Sequence, residues 1–405
     1  MKILVVHQVP YRKISYHLGV DHDRHEVTYI GRAADLAEVP DDLRCTRIAL
    51  GDGEDLVAGV TARTAPGDGY DKVLSLSEFG ILQATYIRDH LGLAGPSAKR
   101  IEKVRDKVRM KQALAGSGIR YPRFVASVAE GEALPWSGRT VLKPRQGASS
   151  QGVMIFDSAR DALAAYALLP DRDGIQLEEH IDGDILHVDG LLCDGRLLEL
   201  SVSRYVNKPV EYADGMPLGS HQVRVSDAHR GITERVVEAL EIDEGCIHLE
   251  LFHTADDELV FLEIANRVGG AGVVTAHARH SGVHLPSHEI AVRLGVDRPE
   301  PSEPSGRHHG WLAFPGHHLP GADGHAVDLP DRLRLHPCVD RIHLLAPDQA
   351  LPDHITYQEW EVPVFIEASH TDPEVLGAFL RECAATITVR TAAESAASPA
   401  GSTTS

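Results

Sequence analysis

Two acids thirteen residues apart offer the clearest chemistry in this chain: Glu250, in His248-Leu249-Glu250, and Glu263, at the head of Glu263-Ile264-Ala265-Asn266-Arg267. Both stand in alternating apolar runs, Ile247 to Phe252 and Leu259 to Ile264, separated by the turn-rich Thr254-Ala255-Asp256-Asp257. That pattern predicts a hairpin, which sets the two carboxylates side by side. Two like charges so close cost free energy unless a cation lies between them. Magnesium suits such a pair, as a hard ion held by few carboxylates and completed by phosphate oxygens; manganese is the alternative. Acids on paired strands are also commonly just solvated, so the reading leans on what stands upstream.

Upstream, Val141-Leu142-Lys143-Pro144 ends a strand, Arg145 to Gly152 forms a flexible loop, and Val153 to Phe156 resumes a strand. Gly147 and Gly152 let a backbone approach phosphates closely, while Ser149, Ser150 and free N–H groups can bond their oxygens. The loop is not a Walker loop, because GxxxxGK[ST] is absent and no helix is expected after it. Alone, a Gly/Ser loop between two strands reads as a hairpin.

In order and spacing these segments resemble the ATP-grasp superfamily, and within it the carboxylate–amine ligases of amino acids and dipeptides. The resembling stretch runs from about Ser97 to Gly272. The resemblance implies Lys107 as a phosphate lysine on a helix, with Lys103, one turn earlier, as its rival. It implies Lys143 as the second such lysine, and Gly147 to Gly152 as a mobile cover over the phosphates. The run Gln176 to Gly183, with Glu178, Glu179 and Ile181, would be the hinge whose backbone meets adenine. Glu250, Glu263 and Asn266 fall on the family's metal ligands, and Arg267 on its phosphate-facing arginine, acting in catalysis with Lys143. Many members carry a ribose-binding acid two residues after the hinge glycine; here that residue is Ile185, leaving Asp184, His187 or Asp189 as substitutes. Substrate contacts are expected from Glu78, Arg204, Arg267 and Gly270. The implied activity is formation of an amide between amino-acid substrates through an acyl phosphate, consuming ATP with Mg2+. The alternatives are a bicarbonate-using carboxylase and a non-catalytic ATP-binding regulatory protein.

The elements that must position these residues follow an α/β (α+β) pattern. Residues 1–96 read as a Rossmann-like layer, with strands Ile3 to Val6 and Val73 to Leu76 and a helix from Ile81 to Leu91. Glu78 then sits either at the carboxyl end of a strand, where open sheets contact ligands, or as a helix cap. Residues 97–184 hold one helix, Ser97 to Ala115, and the lid. Residues 185–300 form the catalytic sheet, and 301–390 a C-terminal β-rich subdomain beyond the connector Pro299 to Gly306. Residues 391–405 are expected to be a disordered tail.

Composition bounds the partners. The 405 residues carry a formal charge of −19, from 59 acids against 40 lysines and arginines, which argues against a nucleic-acid partner. The five cysteines are scattered without a CxxC pair, as in a reduced, cytoplasmic protein. No apolar run approaches the roughly 18 residues of a membrane helix. The 24 histidines show no zinc spacing, and His248 is expected to pack beside the metal ligands. Small amino acids are the expected partners, and a homodimer is compatible.

Overall fold

The computed structural model describes residues 1–129, 131–319 and 324–392. The first layer is a parallel sheet in the order Thr46–Leu50, Glu26–Arg32, Lys2–His7, Lys72–Leu74. Ile3, Leu4, Val5 and Val6 are all fully buried, as in a strand covered on both faces. Alternation divides them. Ile3 and Val5 pack with Tyr16 and Tyr29, while Leu4 and Val6 pack with Ile87 of the helix Gly80–His90. Because Lys2–His7 and Lys72–Leu74 run parallel, the chain leaves both at one edge of the sheet. Arg12 and Lys13 follow the first strand and Glu78 the second, so this carboxyl edge gathers all three.

The expected helix from Ser97 to Ala115 is two helices, Ala98–Glu102 and Lys107–Ala113. Asp106 divides them: its carboxylate accepts from the N–H groups of Val108 and Arg109 at 2.9 and 3.2 Å, capping the second helix. The lid is a four-stranded antiparallel sheet, in the order Phe124–Val125, Ile175–Glu179, Thr140–Pro144, Met154–Phe156. With the helix Ala159–Ala167 it encloses its own core of Trp136, Leu142, Ala162, Tyr166 and Leu177.

The largest body is an eight-stranded antiparallel sheet. Its order is Leu259–Ala265, Gly245–His253, Asp184–Cys193, Arg196–Tyr205, Leu218–Val223, His308–Phe314, Val364–His370, Val339–Leu344. Val188, Val202, Leu249 and Phe261 pack under the helix Asp227–Ala239, while Leu312 and Ile366 pack under the helix Pro373–Thr386. Leu218–Val223 pairs directly with His308–Phe314. The β-rich subdomain expected after residue 300 therefore extends the same sheet, and the proline-rich connector breaks the chain's pattern without ending the sheet. Thr391, the first residue of the expected tail, pairs with His325, and the tail from residue 393 lies outside the described residues. No helix among the described residues is long and apolar enough to cross a membrane.

Candidate active site

The hairpin forms as the alternation predicts, and Glu250 stands directly opposite Glu263 in its register. The two half-buried carboxylates are balanced differently. Glu263 Oε2 lies 3.1 Å from Lys107 Nζ. Burial opposes its ionisation, but the charges of Lys107 and Lys143 prevail and hold its carboxyl below the usual range. Glu250 Oε1 accepts a 2.9 Å bond from the Tyr205 hydroxyl. Burial and then Glu250 itself push that phenol well above its ordinary pKa, so it remains a neutral donor.

Behind Glu250 runs a buried hydrogen-bonded chain. His187 links the Ser220 hydroxyl, at 2.8 Å, to Asp189, at 2.6 Å. The other Asp189 oxygen bonds His248 at 2.8 Å, and His248 Nε2 lies 3.6 Å from Glu250. Burial lowers the His248 pKa, yet Asp189 and Glu250 outweigh it and push it up to about 9. His187, Asp189 and His248 cluster closely enough to hold a metal, but both Asp189 oxygens are committed to imidazoles. The trio reads as a brace for Glu250. Gly269 is required beside it, since a Cβ there would stand 2.7 Å from Asp189 Oδ1.

The two expected lysines converge on the same place. Lys107 opens its helix, and Asp106, which caps that helix, also pairs with Arg145 at 2.7 Å. The helix start is thus tied to the end of the strand carrying Lys143. Lys107 Nζ additionally donates to the Gly147 carbonyl at 3.1 Å. Lys103 instead pairs with Glu241 at 2.8 Å and plays no part here. Lys143 lies 3.0 Å from Glu178, whose other oxygen pairs with the fully buried Lys111. Burial, only partly offset by Glu178, lowers the Lys111 pKa to about 8. Between these lysines and the lid, Gly147, Ser149, Ser150 and Gly152 all adopt positive φ (135°, 60°, 54° and 70°). For the two serines that conformation costs roughly 1–2 kcal/mol each, strain of the kind found where a loop is shaped around a ligand.

A cleft between lid and main sheet continues from this point. Its walls include Val141, Ile155, Ile181, Phe252 and Leu262, an apolar slot fit for a flat ring. The ladder between lid strands ends at Glu179, leaving Ile181 free to line the cleft. Glu179 reaches the cleft but is also held by Arg123.

Beyond the carboxylates the cleft opens into a cavity of about 1220 Å³, walled by the carboxyl edge of the N-terminal sheet and the far half of the main sheet. There Glu78 accepts from Arg267 Nε at 2.7 Å and from Arg105. Gly270 lines the cavity with open space above it, whereas a Cβ at Gly272 would stand 2.4 Å from the Trp311 ring.

Four expectations are corrected. Asn266 does not face the acids: its amide donates to the carbonyls of Glu244 and Cys246 at 3.1 and 2.8 Å. On a strand, residue 265 shares the face of Glu263, and it is Ala265 that lines the cavity. Asp184 is exposed and pairs with Arg204 at 3.4 Å, so neither the ribose role of the one nor the substrate role of the other is served. Arg204 points away from the face on which its neighbour Tyr205 meets Glu250. His187 is enclosed between Asp189 and Ser220, and the residue lining the cleft near the hinge is Ile185. Sequence reasoning missed Lys208, which lines the cleft, as well as Lys111, Arg105 and Lys13. Arg105 and Lys111 were visible as charges on one segment, but nothing in that run distinguishes solvated from buried members.

Residues 104–271 match the family model of the ATP-grasp domain. Over 219 residues the chain is 27% identical to the L-arginine-specific L-amino acid ligase of Bacillus subtilis, covering 50% of this chain. The match spans about half, 53%, of that relative's length. The crystal structure of L-amino acid ligase from Bacillus licheniformis superposes with a TM-score of 0.70 at 20% identity, over 96% of this chain and 98% of that one. N5-carboxyaminoimidazole ribonucleotide synthetase from Thermotoga maritima gives 0.64 at 18% identity, over 96% and 99%. At such identities the two structures show the shared fold alone.

Proposed function

We propose that this chain, whose residues 104–271 match the ATP-grasp domain family model, is an ADP-forming carboxylate–amine ligase that joins amino-acid substrates. The observation carrying the reading is that an apolar cleft holding Lys143 and a cavity headed by Arg267 and Glu78 share a wall made of Lys107, the strained glycine–serine loop and the two facing carboxylates. The sequence relationship to an L-amino acid ligase supports the substrate class.

A carboxylate is a poor electrophile at neutral pH, and its activation is the task this arrangement fits. A substrate carboxylate oxygen attacks the γ-phosphorus of ATP, the bond to the β-phosphate oxygen breaks, and ADP leaves. An amine then attacks the carbonyl carbon of the acyl phosphate, loses a proton, and expels phosphate. Phosphoryl transfer asks the protein mainly for positioning and charge neutralisation. Lys107 and Lys143 supply fixed positive charge beside the loop, and Arg267 faces the reacting oxygens from the cavity side. The facing acids fit a divalent cation such as Mg2+, which supplies further neutralisation of phosphate oxygens when bound. Tyr205 and His248 hold Glu250 in place for it, and the lid loop excludes water that would hydrolyse the acyl phosphate. A reaction that consumes ATP fits a cytoplasmic setting.

The test is ADP release with ATP and Mg2+ across pooled L-amino acids, singly and in pairs, with mass analysis of products. A new mass equal to two substrates less water supports the ligase. ADP release that requires bicarbonate and yields a carboxylated amine would replace it with the carboxylase reading. ATP bound but unconsumed under all conditions would favour a regulatory protein.

A further inference from the structure

The cavity walls differ in charge balance. The far wall, on the C-terminal half of the main sheet, neutralises itself: Arg279 and Arg341 both pair with the buried Glu367, at 2.9 and 3.0 Å, and Arg279 also lies 3.7 Å from Asp340. The near wall does not. Arg12, Lys13, Arg105 and Arg267 line it with Glu78, and that single carboxylate is already shared by Arg105 and Arg267.

Of the near wall's cations, Arg12 and Lys13 are the two with no carboxylate partner among the described residues. Arg12 lies over the ring of Trp360, 3.1 Å from its centroid, a contact that fixes the guanidinium without neutralising it. Lys13, half-buried, has no ion-pair partner among the described residues, and burial together with the charges of Arg267 and Arg12 lowers its pKa. Two acids act on Lys13 through space without pairing with it: Glu361, which accepts from the Thr356 hydroxyl, and Glu38, which accepts from the Tyr11 N–H at 3.0 Å. Cations gathered in a cavity without a carboxylate in direct contact are costly unless an anion is to join them.

We propose that Arg12 and Lys13 form an oxyanion subsite for the free carboxylate of the amine-donating substrate. This deepens the ligase reading and rests on it for the identity of the ligand. The chemistry selects that group. The acyl donor's carboxylate is consumed in the amide, whereas the acceptor's survives the reaction and needs a permanent partner. Surrounding cations also disfavour the ammonium form of the acceptor, leaving its amine nucleophilic. A simple amine lacking an acid group would leave both cations unpaired. A phosphate-bearing amine would satisfy the same two residues.

Two arms test this in the full-length protein. In the first, the thermal unfolding midpoint is measured with saturating ADP and Mg2+ while inorganic phosphate or succinate is titrated. Wild type should gain stability with millimolar anion, and Lys13→Met and Arg12→Gln should each lose most of that gain; equal gains in all three would overturn the subsite. In the second, each amino-acid acceptor found to support ADP release is compared with its carboxamide and with O-phosphoethanolamine. Removing the carboxylate should raise KM roughly tenfold or more in wild type, the scale of a charge-assisted hydrogen bond, and Lys13→Met should reduce that ratio to within about twofold. Preference for O-phosphoethanolamine would reassign the ligand as a phosphate, and an unchanged acid-to-amide ratio in both variants would refute the proposal. If no amino acid supports ADP release, the ligase reading fails, while the first arm still decides the subsite. Should Lys13→Met fail to fold, Arg12→Gln at the exposed rim carries both arms.

Discussion

Replacing Glu178 with glutamine would leave Lys111 and Lys143 without the carboxylate that holds them both. Lys111 is wholly buried and Lys143 nearly so, and each contacts a different Glu178 oxygen. Glutamine keeps the shape but removes the charge, and turns an N–H donor toward an ammonium that can only donate. Two limits bound the cost. If both lysines stay charged, the loss resembles the breaking of a buried ion pair, about 3–5 kcal/mol. If Lys111 sheds its proton instead, little remains to be lost at pH 7.5, because its pKa is already near 8; that route costs about 1 kcal/mol.

The two limits separate by pH. In wild type Lys111 stays charged in folded and unfolded chains below about pH 8, so it adds no pH dependence there. Its depressed folded pKa means that the unfolded chain binds more protons only between about 8 and its ordinary value near 10.5, and stability from this group rises with pH in that window. In Glu178→Gln with Lys111 neutral, the same inequality moves below pH 8. The variant's deficit should then grow by about 2 kcal/mol between pH 7.5 and 6.0, at roughly 1.4 kcal/mol per pH unit. Urea unfolding followed by tryptophan fluorescence reads this, with Trp136 reporting on the lid. Isothermal titration should show ATP affinity weakened about tenfold or more, as Lys143 loses its orientation. A deficit under about 0.5 kcal/mol at both pH values, with unchanged ATP affinity, would show that Glu178 does not clamp these lysines.

Two further outcomes follow from the site. Glu263→Gln should abolish ADP release while the protein still folds, with the thermal midpoint lowered because Lys107 loses its carboxylate partner; activity near wild type would remove Glu263 from cation binding. Asn266→Ala should keep the dependence of ADP release on Mg2+ concentration but lower stability by about 1–2 kcal/mol, through two unsatisfied backbone carbonyls. A large shift in the Mg2+ requirement would restore Asn266 as a ligand.

The failures and successes of the sequence reading share one cause. Period-two alternation made the hairpin legible, and with it the juxtaposition of Glu250 and Glu263, because strand register is a local property. The same rule, applied one residue further, places Ala265 rather than Asn266 beside Glu263; motif resemblance overrode the alternation there, and the alternation prevailed. Alternation likewise turns Asp184 to the face opposite Ile185, where it pairs with Arg204. The break at Asp106 was legible too, as a capping residue two before Val108, but a dense charge run hid it within a longer helix. What no local rule reveals is which members of that run are buried. Lys111 and Lys103 differ by eight positions and look alike in sequence, yet one meets Glu178 inside the fold and the other Glu241 at its surface. That difference is set by strands more than sixty residues downstream. Lys13 belongs to the same class: its isolation among cations arises only when the N-terminal sheet closes against Arg267 and Trp360. The ionic pairs that hold the lysines, and the unpaired charges that await a ligand, are therefore the part of this site that only the assembled fold discloses.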